Sequence, residues 1–355
     1  DHNLALRSDG TVVAWGYNES GQCNVPPDLN GVVAMAAGWY DSLALQSDGT
    51  VVAWGGGNYG EYYVPEDLTD VVAISSIAEH NLALRANGTV VAWGNNNNGQ
   101  CDVPRGLADV VAVAAGMDFS LALRANGTVV GWGNDGAGQC SGASELTDVV
   151  AIAAGYEHAL ALLSDGTVVV WGGGGNGQLD MPPGLSGVVA IAAGGNHSLV
   201  IMDDGTVEAW GANWSGQLDV PEGVAGAVAI AGGCDHSLAL LGSTAVDTTA
   251  PVIYGDEDRA VTTANPNGAV MTFQVRVFDD TDSRPTVIYD PPLGDLLPPG
   301  ENVIHVTVTD AANNSTQSSF TVTVQYVPVE VVAWSYDDNG PCTVPEGLSD
   351  VVSIS

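Results

Sequence analysis

His2, His80, His158, His197 and His236 are the side chains of this 355-residue sequence whose type and spacing most invite a chemical reading. They occupy one position of a repeat with a 39-residue period, and Asp41 and Phe119 fill that position in the remaining two units. Five imidazoles at equivalent places suggest a ring of metal ligands. Equivalent positions in separate units of a ring point in different directions, however, and cannot converge within the roughly 2.0–2.1 Å that zinc requires. The expectation is instead a buried histidine bonded to a neighbouring backbone carbonyl.

Other chemistry-bearing residues are sparse. Asp279, Asp280 and Asp282 in "DDTDS" could offer carboxylate oxygens to Ca²⁺, although a solvated acidic turn is the simpler reading. The run "GGGG" at Gly172–Gly175 opens no helix and therefore makes no phosphate loop. Cys23, Cys101, Cys140 and Cys342 each fall eight residues after a repeated Trp, and Cys234 stands elsewhere. Cysteines one unit apart exceed the usual 4.4–6.8 Å Cα separation of a disulfide, so five free thiols are expected. No catalytic constellation emerges, and neither an enzyme nor a cofactor is expected.

The elements that position these residues follow from the repeat. Trp15, Trp54, Trp93, Trp132, Trp171 and Trp210 are spaced by 39 residues; the next copy, Trp334, comes 85 residues late. Such a period signals a repeat architecture. Each unit reads as four strand-like stretches, "VVAIAAG", "HALALL", "TVVVWG" and "GQLDMP" in the unit from residue 149. Asp-Gly and Asn-Gly pairs between the second and third stretches are hairpin turns. Seven such units predict an all-β, seven-bladed β-propeller. The Trps are read as packing anchors between blades. The final "VVSIS" supplies a first strand that residues 1–7 lack, so both termini are expected to build blade one and close the ring.

The formal charge of −35 arises from 42 Asp and Glu against seven Arg and no Lys. Such a surface repels phosphate backbones and anionic headgroups, which argues against nucleic acid as a partner. No run of about 20 apolar residues is present, so no membrane insertion is expected.

Units of the type "VVAIAAGYEHALALLSDGTVVVWG" resemble the regulator of chromosome condensation repeat. With the added "GQLDMPPGLSG" they are similar to secreted bacterial propellers of the β-lactamase inhibitor protein II type. That resemblance implies a propeller used as a protein-binding surface.

Residues 247–325 differ. "MTFQVRVF", "VIHVTVTD" and "FTVTV" alternate apolar and polar residues as strands of a sandwich do. "DTTAPVI", "NGAVMTFQV" and "PPGENVIHVTVTDAANNSTQSSFTVTV" resemble the hyalin repeat, an immunoglobulin-like extracellular module. The expected organisation is a propeller of residues 1–241 and 329–355, with the module at 247–325 replacing a hairpin of the last blade. Residues 242–246 and 326–328 are the linkers.

Variation concentrates in the loop after each Trp-Gly and in the turn after Ala-Ala-Gly, which alternating strands place on one face. Tyr17, Trp39, Tyr40, Tyr59, Met117, Tyr156, Trp214 and Tyr336 fall there, and aromatic residues anchor many interfaces. The leading expectation is a non-catalytic binding or adhesion protein, extracellular or at a bacterial cell surface, recognising protein or glycan through this face. A self-assembling subunit of a surface layer or filament is the alternative. A hydrolase using acidic loops such as Asp337 and Asp338 is a third reading.

Overall fold

The computed structural model describes residues 2–7, 9–221, 224–241, 250–263, 267–271, 274–279 and 285–326. The described residues hold strands and one short 3-10 turn, Ser141–Ala143, and no α-helix. Two compact units are present, one containing residues 1–255 and the other a four-stranded sheet of the hyalin-like segment.

The first unit contains seven small antiparallel sheets. Sheet one pairs β1 (His2–Leu6) with β2 (Val12–Gly16). Sheet two orders β3 (Val32–Ala37), β4 (Asp41–Gln46) and β5 (Val51–Gly55), and sheet three β6 (Val71–Ser76), β7 (His80–Arg85) and β8 (Val90–Gly94). Sheet four follows with β9 (Val110–Ala115), β10 (Phe119–Arg124) and β11 (Val129–Gly133). Sheet five has β12 (Val149–Ala154), β13 (His158–Leu163) and β14 (Val168–Gly172). Sheet six has β15 (Val188–Ala193), β16 (His197–Met202) and β17 (Val207–Gly211), and sheet seven β18 (Ala227–Gly232) and β19 (Ser237–Leu241).

The sequence dictates this local structure residue by residue. In each hairpin the Asp or Asn side chain accepts the backbone N–H of the Thr two residues on, as at Asp9–Thr11 and Asn87–Thr89, an Asx turn. Gly49 and its equivalents hold φ near +80°, where a Cβ would be strained. The middle strands of sheets two to six are buried over their first five residues, and Leu43, Leu82, Leu121, Leu160 and Leu199 are almost fully sequestered.

The innermost strands of sheets two to seven surround one channel of about 380 Å³, lined by residues from Met35 round to Gly232. A single cavity walled by six successive sheets is the axis of a propeller. The small Ala-Ala pairs of the first strands line it, as a crowded axis requires.

Among the described residues sheets two to six have three strands each, not the four expected, and sheets one and seven have two. The fourth stretch, "GQCN" or "GQLD", turns back on itself: Gly21, Gly99, Gly138, Gly177 and Gly216 adopt φ near +80°, and Asn24 N–H bonds Gly21 O at 2.9 Å. A left-handed glycine ends extended pairing there. The expected closing strand 351–355, Trp334 and Tyr336 lie outside the described residues.

In the hyalin-like segment β20 (Val252–Tyr254) pairs with β23 (Arg276–Phe278), and β22 (Ala269–Val270) with β25 (Leu296–Leu297). The four-stranded sheet orders β21 (Arg259–Thr263), β27 (Ser315–Tyr326), β26 (Gly300–Thr309) and β24 (Thr286–Asp290). Period-two alternation holds in β26 and β27, which bury Ile304, Val306, Val308, Phe320, Val322 and Val324. Of "MTFQVRVF", Arg276–Phe278 is the strand among the described residues, and Thr272 and Phe273 lie outside them.

Candidate functional site

Two networks fix the loops of the first unit. The first is made by the repeated Trps. Nε1 of Trp54, Trp93, Trp132, Trp171 and Trp210 donates to the backbone carbonyl of Gln22, Glu61, Gln100, Gln139 and Gln178 in the preceding unit, at 2.8–2.9 Å. These five indoles are 4–8% exposed, whereas Trp15 is 44% exposed. The loop after Trp334, equivalent to the one that accepts from each of these indoles, lies outside the described residues.

The acceptor residues are themselves loop organisers. The buried side chains of Gln22, Gln100, Gln139, Gln178 and Gln217 each accept the N–H two residues earlier, at 2.8–3.0 Å or slightly less for Gln178 at 2.7 Å. Glu61 does the same for Tyr59. Sequence reasoning passed over these residues, although the "GQ" that recurs in five of these loops, with Gly60-Glu61 in the sixth, was the available signal.

The second network is made by the repeated histidines, which do not bond to backbone carbonyls as expected. His2, His80, His158 and His197 place Nε2 2.7–3.1 Å from the hydroxyls of Ser42, Ser120, Ser198 and Ser237, each 40 residues on in the next sheet. Ser42, Ser120 and Ser237 give their only proton to the carbonyls of Gln22, Gln100 and Gln217. At those sites the imidazole must therefore be the Nε2–H donor. Its Nδ1 is left without a partner at His2, His80 and His197.

Burial accordingly lowers all four histidines to about 4, because a charge on Nδ1 would be desolvated and unpaired. The glycine of Ala-Ala-Gly is explained here too. A Cβ on Gly155 would fall 2.3 Å from His158 Cε1, and one on Gly116 would fall 2.1 Å from Phe119.

The exceptions obey the same pairing. Asp41 accepts from Asn81 Nδ2 at 3.0 Å; Phe119 has Ala159 at the partner position, and both lie in one core cluster. His236 bonds Asn3 Oδ1 at 2.6 Å, joining sheet seven to sheet one. Every change on one side is answered on the other.

The loops after Trp-Gly and the turns after Ala-Ala-Gly do share a face. Gly56, Asn95, Asn134, Gly173 and Ala212 N–H groups bond the carbonyls of Tyr40, Glu79, Asp118, Glu157 and Asn196 at 2.7–2.9 Å. Of the expected binding residues, Trp39 and Tyr156 are brought together. Trp39 Nε1 donates to Tyr156 Oη at 3.1 Å, with the rings edge to face at 5.7 Å. They belong to the turns of sheets two and five, three places apart in a ring of seven, so the pair crosses the axial opening. Tyr40 lies edge-on to Trp39 at 6.4 Å.

Tyr17, Tyr59 and Trp214 are exposed, Trp214 by 68%, and Tyr17 Oη donates to Glu19 at 2.7 Å. Met117 is half-buried. Tyr62 and Tyr63, whose rings meet at 4.2 Å with a 40° tilt, were not singled out as candidates, although they sit in the same variable loop as Tyr59.

Cys23, Cys101, Cys140 and Cys234 are free and half-buried. The thiols of Cys23, Cys101 and Cys140 sit 3.2–3.3 Å from a carbonyl of their own loop, and burial pushes Cys101 and Cys140 up to about 12. Among the described residues no three His, Cys, Asp or Glu converge on a metal position. Asp280 and Asp282 lie outside the described residues.

Residues 1–22, 32–61, 71–100, 110–139, 149–178 and 188–217 match the regulator of chromosome condensation (RCC1) repeat, and residues 246–324 match the HYR domain. No curated protein matches the chain. Among solved structures it is similar to Prp20p from Saccharomyces cerevisiae, whose structure is described with its binding to Gsp1p and histones. The identity is 22% over 67% of this chain and 80% of that one, with a TM-score of 0.58. It is also similar to the CRINKLY WD40 ectodomain of the Arabidopsis thaliana receptor kinase ACR4, with 23% identity over 69% and 88% and a TM-score of 0.59. At this identity the likeness is one of fold.

Proposed function

We propose that this chain, which is built of RCC1 repeats and carries a HYR domain, is a non-catalytic binding protein that works outside the cell or at its surface. The loop face of the propeller takes a protein or glycan partner. The HYR segment, a type of domain found in extracellular and cell-surface proteins, attaches or spaces it. The inserted module is read as residues 247–325, with linkers at 242–246 and 326–328 and blade one completed by both termini.

One observation carries this reading. Within residues 1–241, every aromatic side chain other than the repeated Trps and buried Phe119 lies in a loop-face segment, and none lies in the hairpins or the connections behind them. A scaffold that needed aromatics only for packing would place them in its sheets. Rigid amphipathic rings on one face are what a recognition surface uses.

The test is retention of partners from the extracellular fraction of the source on the immobilised full chain. Tyr17→Ala, Tyr59→Ala and Trp214→Ala combined remove exposed rings without touching the inter-sheet networks. Loss of specific retention with unchanged thermal stability is expected; retention equal to wild type contradicts the reading.

A further inference from the structure

The aromatic residues of the loop face share it with carboxylates and with no cation. The loop segments after each Trp-Gly (17–24, 56–63, 95–102, 134–141, 173–180 and 212–219) and the turns 38–41, 77–80, 116–119, 155–158, 194–197 and 233–236 contain neither Lys nor Arg and eleven Asp and Glu, of which Asp41 and Glu61 are buried and the other nine face solvent at least in part. Their histidines are held neutral by burial. The arginines of residues 1–241 stand elsewhere. Arg7, Arg85 and Arg124 lead into the Asp-Gly and Asn-Gly hairpins, with Arg85 and Arg124 paired to Asp67 and Asp109. Arg105 sits in the connection between Pro104 and Leu107.

The hairpin face is acidic too, but it has these cations and no aromatic ring. The coincidence of exposed rings with uncompensated carboxylates is therefore a property of one face. At its centre, the Trp39–Tyr156 pair is bordered by Glu157 and Asp235, both exposed. Tyr156 lies against Gly195, whose added Cβ would fall 2.9 Å from the Tyr156 ring and 2.8 Å from the Cys234 carbonyl.

A ring presents negative potential from its face and attracts ammonium and guanidinium groups. Carboxylates bordering such rings add long-range attraction and charge-assisted hydrogen bonds. Anionic partners meet the opposite on every count.

We infer that the partner of the loop face is a cationic protein segment, whose Lys or Arg side chains lie over Trp39, Tyr156 and Trp214 between carboxylates such as Glu157 and Asp235. This rests on the proposed use of the loop face for binding and names the chemistry of what it binds. Arg suits the site particularly well, because its planar guanidinium both stacks on a ring and bonds a carboxylate in a fork.

The experiment measures fluorescence anisotropy of labelled deca-arginine and deca-lysine peptides against the full chain between low and physiological salt. Two charge-matched triple variants separate a site from a general field. Asp118→Asn, Glu157→Gln and Asp235→Asn change a loop-face position that Asn196 already fills in another unit. Asp9→Asn, Asp165→Asn and Asp204→Asn change a hairpin position that Asn87 and Asn126 already fill.

The expected result is peptide binding weakened at least tenfold by the loop-face set and less than twofold by the hairpin set, with Trp214→Ala also weakening it. Equal losses from the two sets, or no binding at physiological salt, overturn the inference. If retention of natural partners needs Tyr17, Tyr59 and Trp214 but is indifferent to the loop-face carboxylates, the binding role stands and the cationic partner does not.

Discussion

His236 Nε2 stands 2.6 Å from Asn3 Oδ1 although 233 residues separate them in sequence. The bond occupies the position that His–Ser pairs occupy between other neighbouring sheets, so sheet seven meets sheet one as each sheet meets the next. The pairing thus runs His2–Ser42, Asp41–Asn81, His80–Ser120, Phe119–Ala159, His158–Ser198, His197–Ser237 and His236–Asn3. It returns to its start within the described residues.

The Phe119–Ala159 pair supplies a rule that can be transplanted. His80→Phe alone sets an apolar ring against the Ser120 hydroxyl, and Ser120→Ala alone orphans His80 Nε2 and leaves the Gln100 carbonyl with only its bond from Trp132 Nε1. Each single change is expected to cost about 1–3 kcal/mol. The double variant recreates a pair the chain already uses, so it should lose at least about 1 kcal/mol less than the sum of the singles. Urea unfolding of the four proteins measures this.

Stability should fall in acid through the histidines. The folded value of His80 is lowered to about 4 from an ordinary 6.5, so between those pH values the unfolded chain binds the extra proton. The contribution is complete above about pH 6.5 and is lost as pH drops towards 4. For His80 alone the full shift corresponds to roughly 3 kcal/mol. Unfolding curves from pH 4 to 8 should steepen below 6.5 in the wild type and less so in the His80→Phe, Ser120→Ala double variant.

Asp41 has the opposite sign. Burial raises its carboxyl to about 7, so the folded chain holds a proton that the unfolded chain has released, and stability falls as pH rises from about 4 to 7. Replacing the pair by Asp41→His and Asn81→Ser installs the common pairing. The variant should gain on the order of 3 kcal/mol at pH 8 and lose that advantage near pH 4. A calorimetric series over this range checks both halves.

The indole staples predict a contrast within one residue type. Trp93→Phe removes the 2.8 Å bond to the Glu61 carbonyl and buried ring area, with an expected cost of about 2–3 kcal/mol. Trp214→Phe, on an exposed ring with no such bond, should stay within about 0.5 kcal/mol. Denaturant midpoints of the two variants decide it.

Much of the fold was legible because a repeat states its rules several times. The 39-residue spacing of Trp15 to Trp210, the Asp-Gly turns and the alternation of "LAL" strands gave sheets, hairpins and the shared loop face. The fourth stretch was misread because "QCNV" and "QLDM" carry strand-like residues, while the left-handed glycine that ends pairing is visible only in its φ. The histidines were read as buried groups bonded to backbone carbonyls, and their serine partners were missed. Period alone ties His80 to other histidines, and only the three-dimensional step from one sheet to the next reveals the residue 40 positions on. Trp39 and Tyr156 were both named as rim residues, but 117 positions separate them, and nothing in either loop announced that they meet across the axis.

The most direct test of the closed ring is a double-mutant cycle on Asn3 and His236 in the full chain, using Asn3→Ala, His236→Ala and both together. A ring that shuts at this pair predicts a coupling energy of about 1–2 kcal/mol in urea unfolding at pH 7.5, comparable with that of His80 and Ser120. Strictly additive losses, with coupling intact at His80 and Ser120, would mean that the first and seventh sheets do not meet.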